Sequence, residues 1–164
     1  MAFSFVDRIL SLERCSGIRA QRCFSSGEEL FRDHFPGNPI VPGSLLLESL
    51  TQAATVLIEV SEDCKRKAVP VFVDHLKYRR KVRPGDVLEM EGRTLEWEDD
   101  VVRTDMAGRV GGDVVVQAVI AFALLPVEEI HRGAADREAV RTRYRNLLDG
   151  AAIRGFEGAE VPSR

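Results

Sequence analysis

Cysteine is scarce in this chain. Cys15, Cys23 and Cys64 are three in 164 residues, an odd number without C-x-x-C spacing. That pattern excludes a disulfide-stapled scaffold and the common zinc sites, and it points to a reducing cytoplasm. Histidine is as rare. His75 and His131 have no partners at metal-ligand spacing and read as structural or surface residues, so no metal centre is expected. A surplus of charge is also missing. The formal net charge is −3, which leaves no global positive field to draw the chain to nucleic acid. The longest apolar run, 114–125, is strand-sized and interrupted by Gln117, so no membrane span is expected. The stretch 1–12 carries Asp7 and Arg8 within its apolar part and has no small-residue cleavage site, a poor match to a signal peptide.

What is present reads as one globular domain. Hydrophobic residues make up 45% and charged residues 30%, without repeats or low-complexity linkers. Residues 3–10 have a helix-like apolar spacing (Phe3, Phe5, Val6, Ile9, Leu10), and 16–25 read as a strand. Between 33 and 43, Pro36, Pro39 and Pro42 each fix φ and remove a backbone donor. The expectation is a stiff, extended loop able to hold a side chain in place. Ser44–Val60 is a long helical candidate, stopped and capped by Pro42-Gly43-Ser44. Leu46, Leu47, Leu50, Ala53, Ala54, Leu57 and Ile58 share its broad apolar face, opposite a polar stripe of Glu48, Thr51, Gln52, Thr55 and Glu59. Strands are expected at 69–78, 86–97 (with Gly92 as a bulge), 101–110 and 113–125. The last two flank Gly111-Gly112, a two-residue hairpin signal, and the last is apolar on both parities, as for burial on both faces. A final helix over 134–149 buries Val140, Tyr144, Leu147 and Leu148, and the tail after Gly150 reads as loose. Strand, long helix, then antiparallel strands is an α+β layout with the helix against a curved sheet.

The groups able to do chemistry cluster in 34–48. His34 sits in the proline-fixed loop and can exchange a proton near neutrality. Glu48 lies on a largely buried helix, where a carboxyl can serve as a general acid. The helix N-terminus at Gly43-Ser44 offers free backbone N–H groups to a carbonyl oxygen gaining negative charge. Base, acid and oxyanion donor together suit proton removal beside a carbonyl followed by loss of a β-hydroxyl. Each residue also has a plainer reading: a hydrogen-bonded structural histidine, a solvated polar stripe, a helix cap.

The run His34-Phe35-Pro36-Gly37-Asn38-Pro39-Ile40-Val41-Pro42-Gly43, followed by Leu46-Leu47-Glu48 and Gln52, resembles the H-F-P-G-x-P-x-x-P-G, L-x-E and glutamine signature of bacterial 3-hydroxyacyl-[acyl-carrier-protein] dehydratases of the FabZ/FabA type. Phe5-Val6-Asp7-Arg8 is similar to that family's P-F-L-x-V-D-R opening. Residues 76–86 are similar to its K-F-R-R-x-V-x-P-G-D segment. The resemblance covers about residues 3–126. It implies a hot-dog fold, an antiparallel sheet wrapped around the central helix, with 1–126 as the dehydratase-like domain and 127–164 as a C-terminal helix and tail extending it. It further implies a homodimer or trimer of dimers in which His34 removes the α-proton while Glu48 of the partner subunit assists the departing hydroxyl. The Gly43 N–H would receive the thioester carbonyl, the Ile40 carbonyl would steady the imidazole, and Gln52 would support the carboxylate. The implied substrate is a thioester on acyl carrier protein or coenzyme A, with no cofactor.

Several positions depart from the pattern. Asp33 replaces a usual glycine and puts a carboxylate beside the imidazole, which works against a base. Ser44 replaces an apolar residue, Ser49 and Thr51 replace alanines, and Lys81 stands where proline is frequent. Lys77, Arg79, Arg80, Lys81 and Arg83 read either as a solvated strand edge or as a docking patch for an acidic carrier protein. Arg137, Arg141, Arg143 and Arg145 read as a wet helix face. Two other readings share the fold: a thioesterase whose helix carboxylate activates water, and a non-catalytic acyl-binding subunit of a hetero-oligomer.

Overall fold

The computed structural model describes residues 4–130 and 134–155, with no side-chain description for 134–137. Phe3, His131 and the Arg137 side chain therefore lie outside the described residues. The chain runs β1 (Arg8–Glu13), β2 (Gly17–Cys23), α1 (Leu30–Asp33), α2 (Gly43–Ser61), β3 (Arg66–Tyr78), β4 (Val87–Trp97), β5 (Val101–Val110), β6 (Asp113–Pro126), α3 (Val127–Ile130), α4 (Ala134–Leu148) and β7 (Ala152–Arg154). Seven strands form one sheet in the order β3-β6-β5-β4-β2-β1-β7. All its pairings are antiparallel except β1 with β7. The sheet curls around α2, which contacts β2 through β6. This is the hot-dog arrangement.

α2 forms where its apolar spacing places it, and Leu50, Ala53, Ala54, Leu57 and Ile58 are fully buried against the inner sheet face. It is long and apolar enough to cross a membrane by length and composition alone, but it is the core helix of this sheet. Its start differs from expectation. Pro42 is the cap position and Ser44 lies inside the helix, exposed, with no side-chain capping bond. Proline suits this boundary because a residue outside the helix needs no intrahelical donor.

Gly111 and Gly112 both have positive φ (58° and 88°), which the tight turn between β5 and β6 requires. β6 alternates in burial, with Val116, Ala118, Ile120, Phe122 and Leu124 inside and the intervening residues half-buried. The expected burial of both faces is thus not met within one chain, because α2 covers only the inner face. Gly92 is not a bulge either. Its pairing with Ile18 and Met106 is regular, and the register shifts between Thr94 and Glu96 instead. Glycine is needed at 92 because a Cβ there would lie 2.1 Å from the Met106 sulfur, which fills that space.

Two further expectations are corrected. The helix-like spacing of 3–10 gives way to coil and then β1. Pairing Arg8 and Ile9 with Gln21 and Ala20 satisfies the backbone and still buries Ile9 and Leu12. The segment after Gly150 is not loose as far as Gly155: Ala152–Arg154 adds a strand beside Ser11–Glu13 and covers that sheet edge. α4 forms as expected, burying Tyr144, Leu147 and Leu148 with Val140 half-buried.

Candidate active site

The loop that carries His34 is held from both ends. Ile40 N–H donates to the His34 carbonyl (2.8 Å) and Asn38 N–H to the Phe35 carbonyl (3.0 Å). Val41 N–H donates to the Val82 carbonyl (2.8 Å), and the Arg83 guanidinium donates to the Asn38 side-chain oxygen (3.0 Å). The three prolines supply stiffness and these four bonds supply position. The His34–Phe35 peptide is cis, and the two rings stack with centroids 4.5 Å apart. His34 is half-buried while Phe35 is exposed. Ile40 therefore meets His34 through its N–H and the His34 backbone. Among the described residues the imidazole donates no hydrogen bond to the Ile40 carbonyl.

Gly43 opens α2. A Cβ here would come within 2.9 Å of a Tyr78 ring carbon, so glycine admits the ring over the helix N-terminus. The N–H groups of Leu45 and Leu46 both reach the Pro42 carbonyl (3.0 and 3.3 Å), whereas those of Gly43 and Ser44 have no backbone acceptor among the described residues. That is an uncommitted pair of donors backed by the helix dipole.

Glu48 lies on the next turn and is half-buried. Gln52, one turn further, donates its amide to Glu48 Oε1 at 2.8 Å and accepts from Phe5 N–H at 2.8 Å. One orientation of the amide is thereby imposed, and the carboxyl is tied through it to the N-terminal segment. That segment is anchored in turn by Arg22. Its guanidinium pairs with Asp7 (2.8 Å) and Glu28 (2.6 Å) and lies over the Phe5 and Phe24 rings at 5.7 and 5.2 Å. The two acids are bound again, by Cys23 N–H and Ser25 N–H. The sequence assigns no site role to Arg22, Phe5 or Tyr78. Only the F-V-D-R run around Asp7 hinted that this segment mattered.

Within one chain, no hydrogen bond or ion pair joins His34 to Glu48 among the described residues. His34 lies in the loop ahead of α2, and the Glu48 carboxyl accepts from the Gln52 amide. The basic cluster is uniformly exposed but not uniformly free. Arg79 donates to Gln117, Arg80 pairs with Asp113 (3.5 Å), and Arg83 holds the loop. His75 is on the surface beside Asp74 (3.3 Å). The polar stripe of α2 is also less uniform than its sequence suggests. Glu59 is wholly buried, where it meets Lys67 (2.8 Å), Ala68 N–H (3.1 Å) and the Tyr144 hydroxyl.

A stiff imidazole loop, a helix N-terminus and a supported carboxyl at these positions match a known pattern along the chain. The family model described as a FabA-like domain matches residues 1–119. The chain belongs to the FabA-like family. The FabA-like chain is 34% identical over 129 residues to the 3-hydroxyacyl-[acyl-carrier-protein] dehydratase FabZ of Protochlamydia amoebophila, covering 78% of this chain and 84% of that protein. It is 36% identical over 123 residues to the FabZ of Ruminiclostridium cellulolyticum, covering 74% and 87%. A Streptococcus mutans protein solved bound to acetyl CoA shares the fold of this FabA-like chain at a TM-score of 0.61 and 15% identity, over 77% of this chain and 93% of that one.

Proposed function

We propose that this protein reversibly dehydrates a 3-hydroxyacyl thioester to the trans-2-enoyl thioester in fatty acid or related acyl-chain biosynthesis, with the substrate on acyl carrier protein or coenzyme A. The observation that carries this reading is the presence of both His34 and Glu48, each held by named bonds, in a FabA-like chain. The His34 imidazole takes the α-proton. The Gly43 N–H holds the thioester oxygen as charge develops on it. Glu48 gives its proton to the β-hydroxyl as the C–O bond breaks and water leaves. The chemistry asks for an acid, a base and an oxyanion donor, and for no redox partner.

His34 and Glu48 meet across two subunits in this reading. Its support is the β3 edge, which no strand among the described residues covers and which exposes Val71 (60%), Phe72 (63%), Val73, Leu76 and Tyr78. The opposite edge is the three-residue β7, so β3, with thirteen residues, is the longer edge for pairing. Lys77 and Lys81, with the exposed faces of Arg79, Arg80 and Arg83, are read as docking an acidic carrier protein beside that edge. Residues 127–164 are read as an extension of the same domain, supported by the packing of Tyr144 on Glu59. The free thiols Cys15, Cys23 and Cys64 support a reducing, cytoplasmic setting.

The test is an absorbance assay for enoyl-thioester hydration across chain lengths, on carrier protein and on coenzyme A. His34→Ala and Glu48→Ala should each lower turnover by at least about a hundredfold with an unchanged circular dichroism spectrum. Full activity in both variants, or release of free thiol in place of hydration, overturns the reading.

A further inference from the structure

Tyr78 stands where the K-F-R-R motif similar to Lys77-Tyr78-Arg79-Arg80 carries phenylalanine. The two side chains differ by one oxygen, and the fold puts the oxygen-bearing end of the ring beside Gly43. The atom nearest the Cβ position of Gly43 is the hydroxyl-bearing carbon of the Tyr78 ring, at 2.9 Å, with its two ring neighbours at 3.0 and 3.3 Å. The hydroxyl end of the ring therefore lies against the residue whose N–H opens α2. A ring that served only to cover this glycine would need no oxygen.

The hydroxyl is also uncommitted. It has no hydrogen-bond partner in the chain among the described residues, and the ring is 48% exposed. Partial burial pushes the phenol above the ordinary tyrosine range, so it remains a donor across the neutral range. We propose that Tyr78 is a catalytic residue whose hydroxyl donates to the thioester carbonyl alongside the Gly43 N–H, making a two-donor oxyanion site. The inference rests on the dehydratase reading and deepens it.

The electrons balance as follows. The imidazole of His34 takes the α-proton, and the C–H pair forms the enolate, whose oxygen receives the Tyr78 O–H and Gly43 N–H hydrogen bonds. The carbonyl then re-forms as the α,β double bond forms. The β C–O bond breaks, and the Glu48 proton completes the departing water. Tyr78 lends a hydrogen bond throughout and transfers no proton. Its contribution is largest when the oxygen is most negative, so it acts on turnover more than on binding.

Tyr78→Phe deletes the oxygen and keeps the ring over Gly43, so the fold is not at risk. With crotonyl-coenzyme A as probe, hydration kcat should fall roughly fivefold to tenfold, the effect of one neutral hydrogen bond, with KM within about twofold. The carbonyl stretch of bound crotonyl-coenzyme A, read by difference infrared spectroscopy, should move back toward its free value in the variant. An active wild type matched by Tyr78→Phe in kcat and in carbonyl stretch overturns the role of Tyr78 and leaves the dehydratase reading standing. A wild type that hydrates neither crotonyl-coenzyme A nor longer enoyl thioesters sinks that reading and this inference with it.

Discussion

At position 59 a carboxylate is sealed inside the protein, its side chain 1% exposed, between the Lys67 ammonium, the Ala68 N–H and the Tyr144 hydroxyl. Removing one charge of such a pair leaves the other buried and uncompensated. Lys67→Met should cost about 3 kcal/mol in urea unfolding. The exposed pair Arg93–Asp105, with side chains 72% and 39% exposed, should change little on substitution. The same cluster sets an alkaline limit. Burial first, then the Glu59 charge, holds the Cys64 thiol up at about 11, and the same causes hold Tyr144 well above the ordinary tyrosine range. Both groups keep their protons in the folded state after the unfolded chain has begun to release its own. The Cys64 contribution to stability is therefore full below pH 9 and lost as pH rises from about 9 through 11, while that of Tyr144 begins to fall only above the ordinary tyrosine range. Thermal melts across that window should show a decline that is shallower in Cys64→Ala. At pH 8, iodoacetamide should label the exposed Cys15 and Cys23 and spare Cys64.

At the scale of elements, the N-terminal segment is a brace for Glu48, linked to it through Phe5 and Gln52 and pinned by Arg22. Arg22→Met should lower kcat severalfold with a smaller change in KM, because the carboxyl is less well oriented while the other proposed site residues are untouched. Arg22→Lys should recover part of the loss in kcat. Equal loss from both variants, tracking the loss of melting temperature, would mean that Arg22 only stabilises the fold. Gly92 makes a separate, purely structural prediction. Gly92→Ala would force a Cβ into the buried Met106 side chain and should cost about 1–3 kcal/mol in denaturant unfolding. Elements were legible in the sequence where a local rule decides them. The proline loop, α2, the Gly111-Gly112 hairpin and α4 all formed where periodicity and turn chemistry put them. The first segment departs from its helical spacing because an irregularity between Ile9 and Ser11 lets Ile9 and Leu12, three positions apart, both be buried from a strand. Only the free edge of β2 settles strand over helix.

For the whole molecule the open β3 edge is the largest commitment. Phe72→Asp should shift light-scattering mass toward the monomer and lower hydration activity together, since the proposed site needs both chains. Retention of activity by a monomer would remove the two-subunit reading. By itself the sequence determined the parts whose causes lie within a few residues of each other: the stiff imidazole loop, the apolar helix face with Glu48 and Gln52 one turn apart, the hairpin, and through them the family. The fold decided what depends on distant residues meeting. It brought Phe5 to Gln52, Tyr144 to Glu59, Tyr78 to Gly43, Arg83 to Asn38 and the last strand to β1. Such contacts cross 45 or more positions for the hydrogen-bonded pairs Phe5–Gln52, Arg83–Asn38 and Tyr144–Glu59. No local periodicity encodes them, because what selects them is the geometry of a closed core and the need of each buried polar group for a partner.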